Sequence, residues 1–463
     1  MKKLLNIFPL VLLTIIIGLP SCKKFIQVDP PNNLIISDVV FKSDSTAKAA
    51  VSGIYSEMMN NGNQFCAGAQ TLYSGLSADE LYYYSPSVVY DEYYKNEITQ
   101  ATHSSVLSFL FWEPAYKYIY VSNLCIEKIN SSASLSPAMK NQLTGEAKFI
   151  RAFCYFNLVN LFGGVPLITQ TDYTENAIKP RASVDEVYSQ IVNDLQDARN
   201  LLANNYPTTE KARPNKLAAA SLLARVYLYK KDWVNAESMA SLVINSGAFS
   251  LVSNLSNVFL KNSSEAIWQL QPVNPIVNTW EGNSFLPPSA SATPTFLVTN
   301  SLLSSFETND QRKTAWIASR IFSAQTVYYP FKYKVYGSGA PLTEYYTVLR
   351  LAEQYLIRAE ARANQDNLLQ AIDDINIIRT RAGLTGLPYT FTQVQVLSAI
   401  EQERKIELMF EWGHRWFDLK RTGKTDSILG ILKPGTWQAT DKLWPIPVNQ
   451  ISANPSLTQN PGY

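Results

Sequence analysis

The chain has 463 residues, with 40 Lys and Arg against 38 Asp and Glu, a formal net charge of +2, and only 17% charged residues. Near-neutrality without a long basic tract excludes nucleic acid as a partner, and two histidines leave almost no material for histidine-ligated metals or a Ser-His-Asp triad. The surplus is aromatic: 26 tyrosines and nine tryptophans exceed what a helical core requires, and amphipathic rings suit binding surfaces that are both wet and adhesive.

Met1-Lys2-Lys3 precedes an apolar run from Leu4 to Leu19, interrupted by Asn6, Pro9, Thr14 and Gly18. A bilayer span needs roughly 20 apolar residues, so residues 1–21 read as a secretory signal. Leu19-Pro20-Ser21-Cys22 sets a small residue before a cysteine, the pattern of a lipobox. Cleavage there leaves Cys22 to be acylated, and more than one acyl chain gives a durable membrane anchor, at about 0.8 kcal/mol per buried methylene. Lys23 and Lys24 follow where an aspartate would favour inner-membrane retention, so the outer membrane is expected. Residues 22–39, with Pro30-Pro31, read as a lipidated tether, and the folded body begins near Val40. Cys66, Cys125 and Cys154 show no zinc spacing; at most one disulfide can form, and Cys154 is expected to be a buried free thiol.

Asp44 or Ser45 can cap a helix whose apolar stripe includes Ala47, Ala50, Val51 and Ile54. Helical periodicity then predicts helices at about 104–130, 137–162, 183–203, 214–229, 233–246, 343–364, 368–382 and 393–421. Strand-like segments are few and short. Residues from about 250 to 342 are rich in Pro, Ser, Asn and Thr, carry Trp268, Trp280 and Trp316, and read as a loop-rich insertion.

Two segments resemble tetratricopeptide helix–turn–helix units. In one, Leu223, Ala224 and Tyr227 precede Ala236, Ala240 and Val243; in the other, Ala359 and Ala371 keep the same separation and Ile375 and Ile378 continue the stripe. A weaker third unit centres on Ala152 and Tyr155. Such units cannot bury their faces alone, so they would stack into a helical scaffold.

Residues 400–423, from Ile400-Glu401-Gln402-Glu403-Arg404 through Glu411-Trp412-Gly413-His414-Arg415-Trp416-Phe417-Asp418 to Gly423, closely resemble the signature of the SusD/RagB family. Similar to that family, and in its order, are Asn160-Leu161-Phe162-Gly163-Gly164-Val165-Pro166-Leu167, the segment from Ile375 through Arg379-Thr380-Arg381-Ala382-Gly383 to Leu384, and the ending from Leu443-Trp444-Pro445-Ile446-Pro447 to Asn460-Pro461-Gly462-Tyr463. The resemblance implies an all-α fold over residues 40–463, a single domain with tetratricopeptide-like units packed against a loop-rich portion. It also implies a non-enzymatic lipoprotein facing the cell exterior, without a cofactor, that sits over a SusC-type TonB-dependent transporter and captures oligosaccharides or, in some branches, peptides. It does not carry the identity of the ligand.

Glu403, Glu407 and Glu411 stand four apart, and with Arg404, His414 and Arg415 nearby they predict a buried ion-pair network, with Trp412, Trp416 and Phe417 filling the core beside it. An acid–base reading of the same residues lacks a nucleophile partner, and no GxSxG, HExxH, P-loop or EF-hand pattern occurs, so neither catalysis nor a metal is predicted. For binding, the candidates are Asp79, Tyr82, Tyr83, Tyr84, Tyr90 and Tyr93, with Glu80, Asp91, Glu92 and Tyr94 interleaved. Sugar rings stack their C–H faces on aromatic planes while their hydroxyls seek carboxylate, amide or guanidinium partners. Trp280, Trp316 and Tyr336, with Tyr328 and Tyr329, join the candidates from the loop-rich portion. The competing reading is that these rings cover helices or touch the transporter, as in a structural adaptor without a small ligand.

Overall fold

The computed structural model describes residues 37–60, 62–273 and 277–463. The expected signal, Cys22 and the tether as far as residue 36 lie outside the described residues.

After a single helical turn at Ser37–Val40, α1 (Asp44–Asn60) buries Ala47, Val51, Ile54, Tyr55, Met58 and Met59 along one stripe. A π-type turn at Phe65–Ala69 leads to α2 (Gln70–Ser77), the short strand β1 (Leu81–Tyr83) and α3 (Val88–Lys95). Helix α4 (Gln100–Leu107) passes through a second π-type turn at Ser108–Trp112 into α5 (Glu113–Ser131). The 26-residue α6 (Pro137–Phe162) starts where Ser136 accepts from the Met139 N–H, with proline in the first turn where no amide is needed. Helix α7 (Val184–Leu201) opens on a Ser183–Glu186 capping box, and α8 (Lys216–Tyr229) and α9 (Trp233–Ile244) follow.

The irregular part then contributes β2 (Ala266–Leu270), α10 (Trp280–Phe285), β3 (Phe296–Val298), β4 (Ile317–Phe322), β5 (Gln325–Pro330) and β6 (Tyr346–Arg350). The chain returns to helix in α11 (Leu351–Asn364), α12 (Leu368–Arg381), α13 (Gln393–Glu407) and α14 (His414–Arg421). Helices α5, α6, α7, α8, α9, α11, α12 and α13 pack each upon the next. Fully buried alanines at 224, 236 and 240, and at 359 and 371, sit where the hairpins α8/α9 and α11/α12 close. Arg358 clamps the second hairpin by donating to both Asp374 oxygens, at 2.9 and 2.6 Å.

The strands form three antiparallel pairs among the described residues: β1 with β3, β2 with β6, and the hairpin β4–β5. The hairpin turns on Ser323 and Ala324, both at positive φ (48° and 62°), as a tight two-residue connection between right-twisted strands requires.

Three sequence expectations need correction. The helix expected over 343–364 begins only at Leu351, because Tyr346–Arg350 pairs with β2 and is buried throughout; such an apolar run lacks the alternation that marks a half-exposed strand. The helix expected over 393–421 breaks after Glu407, with Phe410, Trp412 and Gly413 at φ of 56°, 48° and 73°. Freed amides there find side-chain acceptors: Phe410 N–H donates to Glu80 Oε1 and Trp412 N–H to Thr71 Oγ1, each at 3.2 Å.

The third correction concerns the ion-pair network. Glu403, Glu407 and Glu411 are buried and paired, but with Arg312, Arg350, Arg381 and Lys332 from other parts of the chain. Burial alone would raise the Glu407 carboxyl, yet Arg381, Arg350, Arg312 and Lys332 outweigh it and hold the group well below the usual range. Arg404 instead binds Asp418 at 2.9 and 3.1 Å, and Arg415 binds Asp79. Burial, with Arg225 and Arg404 adding to it, depresses the His414 imidazole, which stands neutral rather than as a cation. Cys66, Cys125 and Cys154 are all free and buried.

Candidate ligand-binding cleft

Strand β1 fixes the tyrosine cluster. It pairs with β3 in the register Leu81↔Val298, Tyr82↔Leu297, Tyr83↔Phe296, and Tyr84 N–H donates to Thr295 O at 3.0 Å. Successive side chains of a strand point to opposite faces, so Tyr82 and Tyr83 part ways. Tyr83 joins a packed aromatic group with Tyr90 (4.6 Å between centroids) and Phe296 (5.2 Å). Tyr82 meets Tyr94 of α3 at 6.4 Å, and both half-buried rings line a cleft of about 350 Å³. Its remaining walls are Ala78, Asp79, Thr299, Asn300, Ser301, Leu432 and Lys433.

The floor is charged and buried. Asp79 accepts from Arg415 Nε at 2.7 Å and Nη2 at 3.1 Å, from Ser301 Oγ at 3.3 Å, and pairs with Lys405 at 3.1 Å. Burial would raise its carboxyl, but Arg415 and Lys405 hold it well below the usual range. Glu80, next along the chain, has no ion-pair partner among the described residues: burial first, then the Asp79 charge, push it up to about 8 against the weaker pull of Arg415 and Lys332. Lys433 Nζ donates to Leu76 O (3.1 Å), Ser77 O (2.8 Å) and Asn96 Oδ1 (2.5 Å), lies 5.4 Å from the Tyr94 ring centre, and is pushed down to about 7 by burial.

The expected site residues are thus sorted by the fold. Tyr82 and Asp79 meet in the cleft, although the Asp79 carboxylate is committed to its ion pairs. Tyr84 is exposed and stands edge-on to Phe322 of the β4–β5 hairpin at 5.3 Å. Tyr93 is fully buried, edge-on to Tyr73, His103 and Trp444, and its ring is closed to a ligand. Trp316 is likewise core: its Nε1 donates to Leu255 O at 2.9 Å and Lys332 Nζ lies 4.3 Å from its ring centre. Trp280 is half-buried, its backbone N–H donating to the Tyr346 hydroxyl at 2.9 Å, and Tyr336 is exposed; neither lines the cleft. Lys433, Asn300 and Ser301 were not singled out from sequence. The one local signal is a lone lysine directly after the apolar run Ile428-Leu429-Gly430-Ile431-Leu432.

Two of the three larger depressions are less suited to a polar ligand. One of about 620 Å³ is walled by charges that already neutralise each other, Arg421 with Glu360 and Lys424 with Glu401. Another of about 530 Å³ is apolar, lined by Phe41, Ala50, Ile54, Val121 and Leu124. Among the described residues no cluster of His, Cys, Asp and Glu could hold a metal ion, and no helix is long and apolar enough to cross a membrane.

The fold recurs in solved structures of the SusD superfamily. A SusD superfamily protein from Bacteroides vulgatus superposes with a TM-score of 0.79 at 20% identity, covering 91% of this chain and 100% of the other. A laminarin-binding SusD-like protein superposes with a TM-score of 0.74 at 24% identity, covering 91% and 100%. Residues 28–228 match the family model described as starch-binding and associating with the outer membrane, and residues 278–463 match that of the SusD family. A SusD-like protein of Formosa agariphila is 25% identical in a 521-residue alignment that covers 96% of this chain and 97% of the relative. The chain belongs to the SusD/RagB family.

Proposed function

We propose that this protein is a non-catalytic glycan-binding lipoprotein of the outer membrane, which captures oligosaccharides in the Tyr82–Tyr94 cleft and delivers them to a SusC-like TonB-dependent transporter. The observation that carries the reading is the pairing of two half-exposed phenol rings above a polar, hydrogen-bonding floor, which answers both the apolar faces and the hydroxyls of a sugar. The starch-binding description of the matched family model and the laminarin-binding structural neighbour support the same ligand class. Tyr84, and beyond the cleft Trp280 and Tyr336, offer further rings to a longer chain. The acids of the cleft do not support hydrolysis: Asp79 is held by two cations and Glu80 is fully buried, so no free carboxyl pair faces a bound sugar. Anchoring rests on the lipobox at Cys22.

Calorimetric titration of the soluble form beginning after Cys22, against plant, fungal and host polysaccharides, tests the reading. Selective binding that weakens about tenfold in Tyr82→Ala and Tyr94→Ala, with unchanged melting temperature, is the expected result. Full binding in both variants removes the cleft as the site. Silence across the panel shifts the function to a peptide receptor or an adaptor of the transporter.

A further inference from the structure

Building on the cleft as a glycan site, we infer that its ligand is an acidic saccharide, one carrying a carboxylate or a sulfate ester on the ring. The argument starts at Lys433. Its ammonium is buried, and its three hydrogen-bond acceptors, Leu76 O, Ser77 O and Asn96 Oδ1, are all neutral. Among the described residues no carboxylate lies within ion-pair distance of it. Such a charge, taken out of water and left without a counter-ion, is rare in a folded protein unless something else supplies the negative charge.

The surroundings do not supply it. Of the acids behind the cleft, Asp79 is shared by Arg415 and Lys405. Glu80 is kept protonated by burial, and Glu401 is shared by Lys424 and, at 3.9 Å, Arg415. Asp441, the remaining carboxyl whose charge reaches Lys433, accepts from Gln438 N–H at 2.6 Å and from Thr440 Oγ1, and its near neighbour Glu97 is exposed to water. With Lys433 in its charged form, Lys433, Lys405, Arg415 and Lys424 therefore stand against Asp79, Glu401 and Asp441, an excess of one positive charge under the cleft. The donors are in excess as well: Asn96 Nδ2 and Ser77 Oγ, both buried beside the ammonium, have no partner among the described residues.

A neutral oligosaccharide gains only ring stacking and hydroxyl contacts from this cleft. An anionic sugar gains in addition the field of an ammonium screened by little water. Because burial has lowered Lys433 to about 7, an anion above it favours the charged form and draws a proton from solution on binding near neutral pH.

The experiment titrates the soluble protein with oligogalacturonate, a sulfated galactan oligosaccharide, and neutral laminari- and malto-oligosaccharides of matched length, in two buffers of different ionisation enthalpy. At least one acidic ligand is expected to bind about tenfold more tightly than the neutral ones, to weaken with added salt and to take up a fraction of a proton. The Lys433→Met variant should lose that preference and the proton uptake, with residual binding still dependent on Tyr82. If that variant does not fold, the salt and proton linkages of the unaltered protein decide alone. Neutral ligands bound as tightly as acidic ones, without proton uptake, overturn the acidic inference and leave the glycan site standing. Binding of neither class overturns both.

Discussion

Arg350 and Glu407 are joined twice: Arg350 Nη1 donates to Glu407 Oε1 at 2.6 Å, and Nη2 donates to the Glu407 backbone carbonyl at 2.7 Å. Arg350 ends β6 and Glu407 ends α13, so this pair fastens the irregular part of the chain to the signature helix. The same guanidinium reaches Glu265 Oε1 and both Glu411 oxygens, each at 2.8 Å, which occupies every N–H it has. Arg350→Met takes one cation from three buried carboxylates, leaving Glu265 and Glu407 to Arg381 and Glu411 to Lys332, and is expected to cost about 3–5 kcal/mol. Urea unfolding checks this. Arg350→Lys should rescue little, because a single ammonium cannot span acceptors on three residues.

That network shows what the sequence made legible and what it hid. The four-residue spacing of Glu403, Glu407 and Glu411 marked one helix face as ionic, and the fold agrees. Of their cations, Arg312, Lys332 and Arg350 come from a region where no periodicity distinguishes a buried residue from a loop, and Arg381 comes from the end of α12. Arg404, adjacent in sequence to Glu403, points toward Asp418 instead, since residues one apart on a helix do not share a face. Amphipathic helices were readable almost to the residue, as with α7, expected over 183–203 and found over Val184–Leu201, because their burial follows from their own pattern. The cleft was half readable: Asp79 and Tyr82 lie in one local cluster, while Ser301 and Lys433 reach it only through tertiary folding.

The break between α13 and α14 depends on Gly413, at φ 73° against α2. A Cβ there would stand 2.7 Å from Gln70 Nε2 and 2.8 Å from Ser74 Cβ. Gly423 has nearly the same φ, 70°, with nothing within 4 Å. Gly423→Ala should therefore carry only the left-handed backbone cost, about 1 kcal/mol, and Gly413→Ala distinctly more. Paired thermal melts distinguish them, and equal losses would show that α2 yields without cost.

Glu281, on α10 beside Trp280, accepts from Thr71 Oγ1 at 3.1 Å, while its second oxygen is buried without a partner among the described residues. Burial pushes its carboxyl up to about 7. The folded state thus keeps a proton that the unfolded chain, near 4.5, has already released. Its stabilising contribution is full below about 4.5 and is lost as pH rises through about 7. Glu281→Gln cannot ionise, so its stability relative to the unaltered protein should increase between about pH 5 and pH 8, read from melting temperatures across that range. A difference independent of pH would show that Glu281 does not titrate there.

Tyr93 and Tyr82 separate rings that fill from rings that bind. Both belong to one tyrosine-rich stretch, and composition cannot distinguish them. In the fold, Tyr93 is closed in by Tyr73, His103 and Trp444, and its hydroxyl is buried with no partner among the described residues, whereas Tyr82 borders the cleft. An unsatisfied buried hydroxyl costs its hydration and returns nothing. Tyr93→Phe removes that cost while keeping the ring contacts, so it should leave stability unchanged or raise it by up to about 1 kcal/mol, with saccharide affinity unaltered. Trp316→Ala, by contrast, empties a fully buried indole site and should lose about 3–5 kcal/mol. Melting curves and calorimetric titration of the two variants check both statements. Weaker saccharide binding by Tyr93→Phe at an unchanged melting temperature would place the Tyr93 hydroxyl in the ligand's hydrogen-bond network instead.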